Sequence, residues 1–247
     1  MTTIFSNLQA VQQRIARACA ACGRDPATVR LLAVSKTFGP EAVGEAVAAG
    51  QRAFGENYVQ EGVAKIEALR EAGVGALEWH CIGPLQSNKT RLVAESFDWV
   101  QSIDRLRIAQ RLDAQRPAHR PPLQVCIQVN VDGGPTKAGV APEEALALAR
   151  AVAALPRLCL RGVMAIPDPA PDPRAMRAVF ERVAEVFANL RTALGAPATF
   201  DTLSMGMSDD LESAIAAGST MVRVGSAIFG QRTYAADIPP ANNAACR

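Results

Sequence analysis

The order of the predicted secondary-structure elements favours an α/β protein, a single (β/α)8 barrel of the TIM type with an extra N-terminal helix. Two observations predict this fold. Short apolar runs rich in β-branched residues alternate with longer helical patterns, and eight such runs fit within the 247 residues. This alternation produces a parallel sheet, and eight units in about 250 residues is the usual size of a closed barrel. We predict one barrel domain over residues 1–235 and a loose tail over residues 236–247.

The first element is predicted to be an amphipathic helix that precedes the barrel. Ile4, Leu8, Val11 and Ile15 recur at helical spacing. The chain does not begin with a basic stretch followed by an apolar block, which is the pattern of a secretory signal. The sequence contains no apolar run long enough to span a membrane. We therefore expect a cytoplasmic protein.

The remaining elements alternate along the chain. Strands are predicted at residues 29–35, 52–55, 77–82, 98–102, 123–130, 159–165, 199–204 and 221–224. Helices are predicted near residues 40–49, 57–72, 88–96, 105–115, 142–154, 173–194 and 208–217. A doubly wound open sheet is the alternative, but that fold usually has a glycine-rich phosphate turn after its first strand. Here the first strand runs into "SKTFGP", which lacks that turn.

Composition argues against several classes of function. The net charge is only +2 and aromatic residues make up 5% of the chain, so neither a nucleic-acid nor a membrane partner is expected. Six cysteines in a chain of this length do not form a disulfide framework. Cys19 and Cys22 form a CxxC pair inside an alanine-rich helical pattern, and the chain has only two histidines. We therefore expect no metal site.

Two strand ends have the composition of an anion site. In a barrel, residues just after the C-terminal ends of the strands face one shared mouth, and phosphate often binds after the last two strands. "SMGMSDD" follows strand 7 and places Ser208 at a predicted helix start, where free N–H groups can face an anion. "RVGSAIFG" at strand 8 supplies Gly225 and the hydroxyl of Ser226. Such Ser-Gly segments are also common in ordinary turns.

Lys36 follows the first strand, which lies beside the last strand once the barrel closes. A lysine at a strand end is usually a solvated charge. Beside another cation, Arg223, its amine would lose a proton more readily, and a neutral amine condenses with an aldehyde. The combination predicts a carbonyl compound that carries phosphate. Pyridoxal 5'-phosphate (PLP) fits most economically, and a sugar phosphate bound by a lysine-dependent aldolase is the alternative.

Several segments resemble those of a known family, the pyridoxal phosphate homeostasis proteins of the YggS/PROSC type. These proteins are related to the N-terminal barrel of alanine racemase. The matching segments are "LLAVSKTF", "FGENYVQE", "WHCIGPLQSNK", "VNVDGGPTKAG", "GVMAIP" and "LSMGMSDDLESAIAAGSTMVRVGSAIFG". Together they extend from about residue 30 to about residue 230, which is nearly the whole chain.

The resemblance implies a set of residues that bind PLP. This set is Lys36, Asn57, His80, Met164, Ser208, Arg223, Gly225 and Ser226. It implies that Lys36 carries PLP as a Schiff base, that Ser208, Gly225 and Ser226 hold the phosphate, and that Arg223 faces the pyridine nitrogen. Asn57, His80 and Met164 would line the pocket, although His80 is equally compatible with a structural role at a strand end.

Arginine beside the pyridine nitrogen bears on catalysis. The guanidinium cannot accept a proton from that nitrogen, and its positive charge disfavours a proton there. The cofactor therefore becomes a weaker electron sink. Racemases of similar fold use a second base, a tyrosine from a separate domain, whereas the tyrosines here are Tyr58 and Tyr234. We therefore expect a monomeric carrier of PLP without robust turnover or catalytic residues, which can transiently meet PLP-dependent apoenzymes. A small monomeric PLP-dependent amino-acid racemase is the alternative.

Overall fold

Eight parallel strands close into a barrel in which the first strand pairs with the last, as the alternation predicted. The computed structural model describes residues 3–133 and 138–230. The strands are β1 (Arg30–Val34), β2 (Ala53–Glu56), β3 (Glu78–Cys81), β4 (Trp99–Ile103), β5 (Leu123–Gln128), β6 (Leu158–Met164), β7 (Thr202–Ser204) and β8 (Met221–Val224). The predicted fold class is confirmed. The predicted domain end at residue 235 and the predicted tail lie outside the described residues.

Helices surround the barrel and follow the strands in sequence. They are α1 (Ile4–Ala21), α2 (Pro40–Ala48), α3 (Val59–Glu71), α4 (Thr90–Ser96), α5 (Leu106–Gln115), α6 (Pro142–Ala153), α7 (Pro173–Ala193), α8 (Leu211–Ala216) and α9 (Ser226–Phe229). None of the helices within the two described ranges is both long enough and apolar enough to cross a membrane.

The extra N-terminal helix α1 packs against the end of the barrel domain. Leu8, Val11 and Ile15 are buried, as their helical spacing predicted. Polar contacts add to this packing: Asn7 Nδ2 donates to the carbonyl of Ile228 at 2.8 Å, and Arg14 Nη2 donates to the carbonyl of Ser208 at 3.0 Å. Helix α1 therefore contacts the two segments that follow β7 and β8.

Barrel closure fixes the relative position of β1 and β8. Leu32 lies opposite Arg223 and Ala33 lies opposite Val224 in the parallel register. Residues beyond Val34 and beyond Val224 therefore emerge side by side at the same end of the barrel. Lys36 belongs to the first of these segments, and the cation Arg223 lies on the adjoining strand.

Helix α8 begins later than the sequence predicted. The prediction placed the helix near residues 208–217 with Ser208 at its start, whereas α8 begins at Leu211 and Asp210 is its N-cap. Residues 207–210 form a turn instead, in which the Met207 amide donates to Asp210 Oδ1 at 2.5 Å. The first i to i+4 hydrogen bond of α8 runs from the Ala214 amide to the carbonyl of Asp210 at 3.1 Å. Ser208 is therefore not a helix cap.

Two cysteines within the strands behave as small apolar residues. Cys81 lies in β3 and Cys126 in β5, and burial raises the pKa of each thiol to about 12. Cys19 of the CxxC pair is buried in α1, and Cys22 is exposed at the C-terminal end of that helix. Within residues 3–133 and 138–230, no group of three or more His, Cys, Asp or Glu side chains is placed to hold a metal ion.

Candidate functional site

A cavity of about 440 Å³ opens at the end of the barrel where the strands terminate. Six of the eight residues predicted to bind PLP line it, namely Lys36, Asn57, Ser208, Arg223, Gly225 and Ser226. They come from the segments after β1, β2 and β7 and from β8 and the turn that follows it. Segments far apart in sequence therefore meet at one place because the barrel closes.

Two serine hydroxyls lie at one side of this cavity. Ser226 Oγ is 3.3 Å from Ser208 Oγ, so the segments after β7 and β8 contribute neighbouring hydroxyl groups. Gly225 allows the chain to pass close to β1, since a Cβ at this position would lie 3.1 Å from the carbonyl oxygen of Val34.

Arg223 is the buried cation of the cavity. Its side chain donates from Nη1 to Ser204 Oγ at 2.7 Å and from Nη2 to the carbonyl of Ala165 at 2.8 Å. Burial lowers the pKa of Arg223 to about 10, because the charged form is desolvated. The guanidinium remains charged at neutral pH and has no acceptor atom. A ring nitrogen placed against it would be favoured in its unprotonated form.

His80 does not line the cavity; it lies inside the barrel. Its side chain is fully buried, with Nε2 2.7 Å from Glu78 Oε1 and Nδ1 2.9 Å from Gln101 Nε2. The imidazole also stacks on Trp99, with ring centroids 4.9 Å apart. Of the two roles left open for His80, pocket lining and a structural role, these contacts favour the structural one, because they hold its ring within the barrel.

Met164 is also absent from the cavity lining. It is fully buried and packs with Trp99 and Cys126 in a small apolar cluster within the barrel. The position of Met164 at the end of β6 suggested that its side chain would reach the mouth of the barrel. Because side chains alternate along a strand and successive layers fill a barrel, the end of a strand does not by itself determine which layer a side chain enters.

Sequence reasoning missed a column of polar groups that connects the interior of the barrel to Arg223. Ser204 Oγ donates to Gln101 Oε1 at 2.7 Å and accepts from Arg223, and Gln101 in turn contacts His80. At the far end of the column, Glu78 is also paired with Arg30 Nη2 at 2.6 Å. A polar residue inside a predicted buried strand, such as Gln101 between Val100 and Ser102, is the signal that could have revealed it.

The column contains two shifted titratable groups. Complete burial lowers the pKa of His80, although the adjacent Glu78 opposes this effect. For Glu78, burial alone would raise the pKa, but the hydrogen bond from His80 and the charge and hydrogen bond of Arg30 outweigh it and lower the pKa to about 2. At neutral pH the imidazole is therefore neutral and the carboxylate is ionised.

Further residues, outside the set predicted to bind PLP, complete the lining. They are Val34, Ile82, Gly83, Pro84, Gln128, Ala138, Ile166, Met207 and Asp209. Gly83 is required by the backbone path, because a Cβ there would lie 2.3 Å from the carbonyl oxygen of Asn57. The cavity thus combines an amine, a guanidinium and two hydroxyls with an apolar wall. That donor set fits a molecule with a carbonyl group, an apolar ring and an anionic group.

Comparison with known proteins identifies the family. The family described as "Alanine racemase, N-terminal domain" matches residues 6–233. The pyridoxal phosphate homeostasis protein of Escherichia coli (strain K12) is 57% identical over 234 residues, which cover 95% of this chain and 99% of that protein. The protein of the same name from Pseudomonas aeruginosa is 56% identical over 236 residues, covering 96% of this chain and 99% of the relative.

A solved structure extends the likeness to three dimensions. PipY of Synechococcus elongatus PCC7942, determined with PLP bound, superposes with a TM-score of 0.76 at 37% sequence identity. The match covers 87% of this chain and 100% of the PipY chain. The resemblance inferred from the sequence segments is therefore confirmed. This chain belongs to the family of the alanine racemase N-terminal domain and, within it, to the pyridoxal phosphate homeostasis proteins.

Proposed function

We propose that this protein binds PLP as a Schiff base on Lys36 and acts in cytoplasmic PLP homeostasis without a robust reaction of its own. The observation that carries the proposal is the single cavity that joins Lys36, Arg223, Ser208 and Ser226. A relative of similar fold was solved with PLP bound, and close relatives are named for PLP homeostasis. PLP supplies an aldehyde that reacts reversibly with amines, a pyridine ring and a phosphate.

The residues of the cavity match these three parts of PLP. Lys36 supplies the amine, and the hydroxyls of Ser208 and Ser226 are hydrogen-bond donors for the phosphate. Arg223 offers a cation for the pyridine nitrogen and, because it cannot take up a proton, does not stabilise a carbanion through that nitrogen. Asn57 and the apolar wall enclose the ring. Binding of the aldehyde as a Schiff base limits the free concentration of a reactive compound.

The structure also bears on the choice between a carrier and a racemase. A two-base racemase needs a second acid–base group on the opposite side of the cofactor from the lysine. Tyr58 has 60% of its surface exposed and is not among the described residues that line the cavity, and Tyr234 lies outside the described residues. The exposed position of Tyr58 favours a carrier. PLP would be released when an incoming amine displaces Lys36, and PLP-dependent apoenzymes are the proposed recipients.

Borohydride reduction followed by peptide mass spectrometry tests the covalent attachment. The chain contains four lysines, at positions 36, 65, 89 and 137, so the labelled residue can be assigned without ambiguity. We expect a yellow protein whose pyridoxyl group is found on Lys36. Lys89→Ala is the matched control and should leave the label on Lys36. A label found mainly on another lysine in the unaltered protein would overturn the assignment.

Exchange of the α-proton of amino acids tests the absence of turnover. With the PLP-loaded protein in deuterium oxide, we expect no Lys36-dependent incorporation of deuterium into common amino acids above the level given by free PLP. Mass spectrometry of the amino acids and chiral chromatography provide the measurement. Multiple turnovers that disappear in Lys36→Ala would contradict the carrier hypothesis and favour the racemase.

A further inference from the structure

The backbone on both sides of Lys36 is held by one group of charged side chains, which we call the Lys65 cluster and define as Lys65, Glu56 and Glu61. Lys65 and Glu56 are buried, and Glu61 is partly exposed. On one side, the carbonyl oxygen of Ser35 accepts a hydrogen bond from Lys65 Nζ at 2.7 Å. On the other side, the Thr37 amide donates to Glu61 Oε1 at 2.6 Å. The cluster therefore contacts the residue before and the residue after the proposed PLP lysine.

The ammonium group of Lys65 is fully engaged within this cluster. Its three hydrogen bonds reach Ser35 O at 2.7 Å, Glu56 Oε1 at 2.8 Å and Glu61 Oε1 at 2.7 Å, and an ammonium has three hydrogens to donate. Ser35 Oγ adds a further bond to Glu56 Oε1 at 2.6 Å. The end of β1 is thus connected to β2 through Glu56 and to α3 through Lys65 and Glu61.

Burial of these charges is unfavourable in itself. The side chain of Lys65 is 4% exposed and that of Glu56 is 0% exposed. Desolvation of a buried ion pair can cancel its electrostatic attraction, so such a pair is weak evidence for stabilisation. Glu56 Oε2 is buried and has no hydrogen-bond partner among the described residues. The arrangement is better explained by geometric specificity, because each contact has a defined direction and defined partners.

The segment that the cluster holds is also strained. Thr37 has a φ of 71°, a left-handed conformation that a β-branched residue rarely adopts. Such conformations persist where surrounding contacts over-determine them, and they are concentrated at functional sites. Here the Thr37 amide is held by Glu61, and the Phe38 amide donates back to the carbonyl of Ser35 at 3.1 Å. Lys36 lies inside this tight turn.

We propose that Lys65 and Glu61 are positioning residues that fix the turn around Lys36 and thereby present its amine to an aldehyde in the cavity. This inference rests on the proposed function. The unprotonated amine adds to the aldehyde carbon, a C=N bond forms, and the aldehyde oxygen leaves as water. The reaction depends on the fraction of time that the amine holds the direction of attack. Loss of the cluster should therefore weaken the capture of an aldehyde, but not the binding of the phosphate and ring.

Two ligands separate these effects. PLP has the aldehyde, whereas pyridoxine 5'-phosphate keeps the ring and the phosphate but has an alcohol in its place. For Glu61→Ala we expect the affinity for PLP to fall by about ten- to a hundredfold. Affinity for pyridoxine 5'-phosphate should stay within about twofold. Glu61→Gln, whose amide oxygen can still accept from Thr37, should bind PLP more tightly than Glu61→Ala.

Amide exchange provides a readout that needs no ligand. In the protein without PLP, we expect hydrogen exchange of the Thr37 amide to be at least about tenfold faster in Glu61→Ala than in the unaltered chain. Glu67→Ala removes an exposed carboxylate from the same helix and is the matched control, with unchanged exchange and affinities. Lys65→Met should have the same effects on amide exchange and affinity as Glu61→Ala. If Lys65→Met does not fold, the Glu61 variants alone test the inference.

The outcomes are distinguishable. Equal loss of affinity for PLP and for pyridoxine 5'-phosphate in Glu61→Ala would indicate general damage to the site and overturn the positioning role. Unchanged PLP affinity in that variant, with Lys36 still carrying the borohydride label, would overturn the inference and leave the proposed function standing. A label on another lysine in the unaltered protein would overturn the proposed function, and the positioning role toward an aldehyde with it.

Discussion

His80 and Arg223 belong to one hydrogen-bonded column, yet only Arg223 lines the cavity. Five of the residues that meet at the cavity, Lys36, Ser208, Arg223, Gly225 and Ser226, were indicated by their places at the ends of the first and the last two strands, and the family resemblance added Asn57. Sequence reasoning misplaced His80 and Met164 because both are buried in layers of the interior. The depth of a side chain in a barrel depends on strand tilt and register across several strands, which one chain segment does not encode.

The buried imidazole of His80 makes stability depend on pH. Burial lowers its pKa below the ordinary value of 6.5, so the unfolded chain binds a proton that the folded protein resists. The free energy of unfolding should therefore fall as the pH decreases below 6.5, with a slope of at most about 1.4 kcal/mol per pH unit from this one proton. In His80→Gln the dependence between pH 6.5 and pH 5 should become flatter. Urea unfolding at a series of pH values measures this dependence of the free energy of unfolding on pH.

His119→Gln is the matched control for this experiment. His119 is the other histidine of the chain and is exposed on the segment between α5 and β5. Its replacement should leave the slope of stability against pH as it is in the unaltered protein. An undiminished slope in His80→Gln would show that another group causes the dependence.

Strand β6 departs from regular strand geometry. Its register against β5 shifts between Val125 and Cys126, which lie opposite Leu160 and Gly162, so Arg161 is the extra residue of a bulge. Sequence patterning predicted this strand at residues 159–165 but not the bulge, because a single inserted residue hardly changes an apolar run. The late start of α8 has a similar cause, since the competing turn depends on one carboxylate, that of Asp210.

Gly162 is required by this bulge. Its φ is 154°, and a Cβ there would lie 1.8 Å from the carbonyl oxygen of Thr202 on the neighbouring strand β7. We expect Gly162→Ala to destabilise the protein by about 3–5 kcal/mol, because the backbone of β6 and β7 would have to separate. Denaturant unfolding monitored by circular dichroism provides the measurement.

Gly44→Ala is the corresponding control. Gly44 lies in the middle of α2, and a Cβ there would have no neighbour within 4 Å. Alanine at this position should stabilise the protein by about 0.5–1 kcal/mol, since glycine has more conformational freedom to lose in a helix. Similar effects of the two substitutions would refute the assigned role of the close approach at Gly162.

For the whole molecule, the count of alternating elements was sufficient to predict the barrel. Closure then determines the neighbours: β1 pairs with β8, so Lys36 and Arg223 line the same cavity although 187 positions separate residues 36 and 223 in the numbering. The sequence could not reveal that α1 contacts the backbone of both final segments, through Asn7 and Arg14. Those contacts depend on where a surface helix lies, and amphipathic spacing gives its buried face but not its position.

A closed sheet has a consequence for how this protein can meet others. In residues 3–133 and 138–230, every strand has a hydrogen-bonded neighbour on each side, so no row of unpaired amides and carbonyls is available as a template. Open sheets risk runaway polymerisation because a foreign segment can extend them by main-chain pairing. Within the described residues, the barrel therefore has no open strand edge for such pairing. Another macromolecule would have to contact the helices and loops instead.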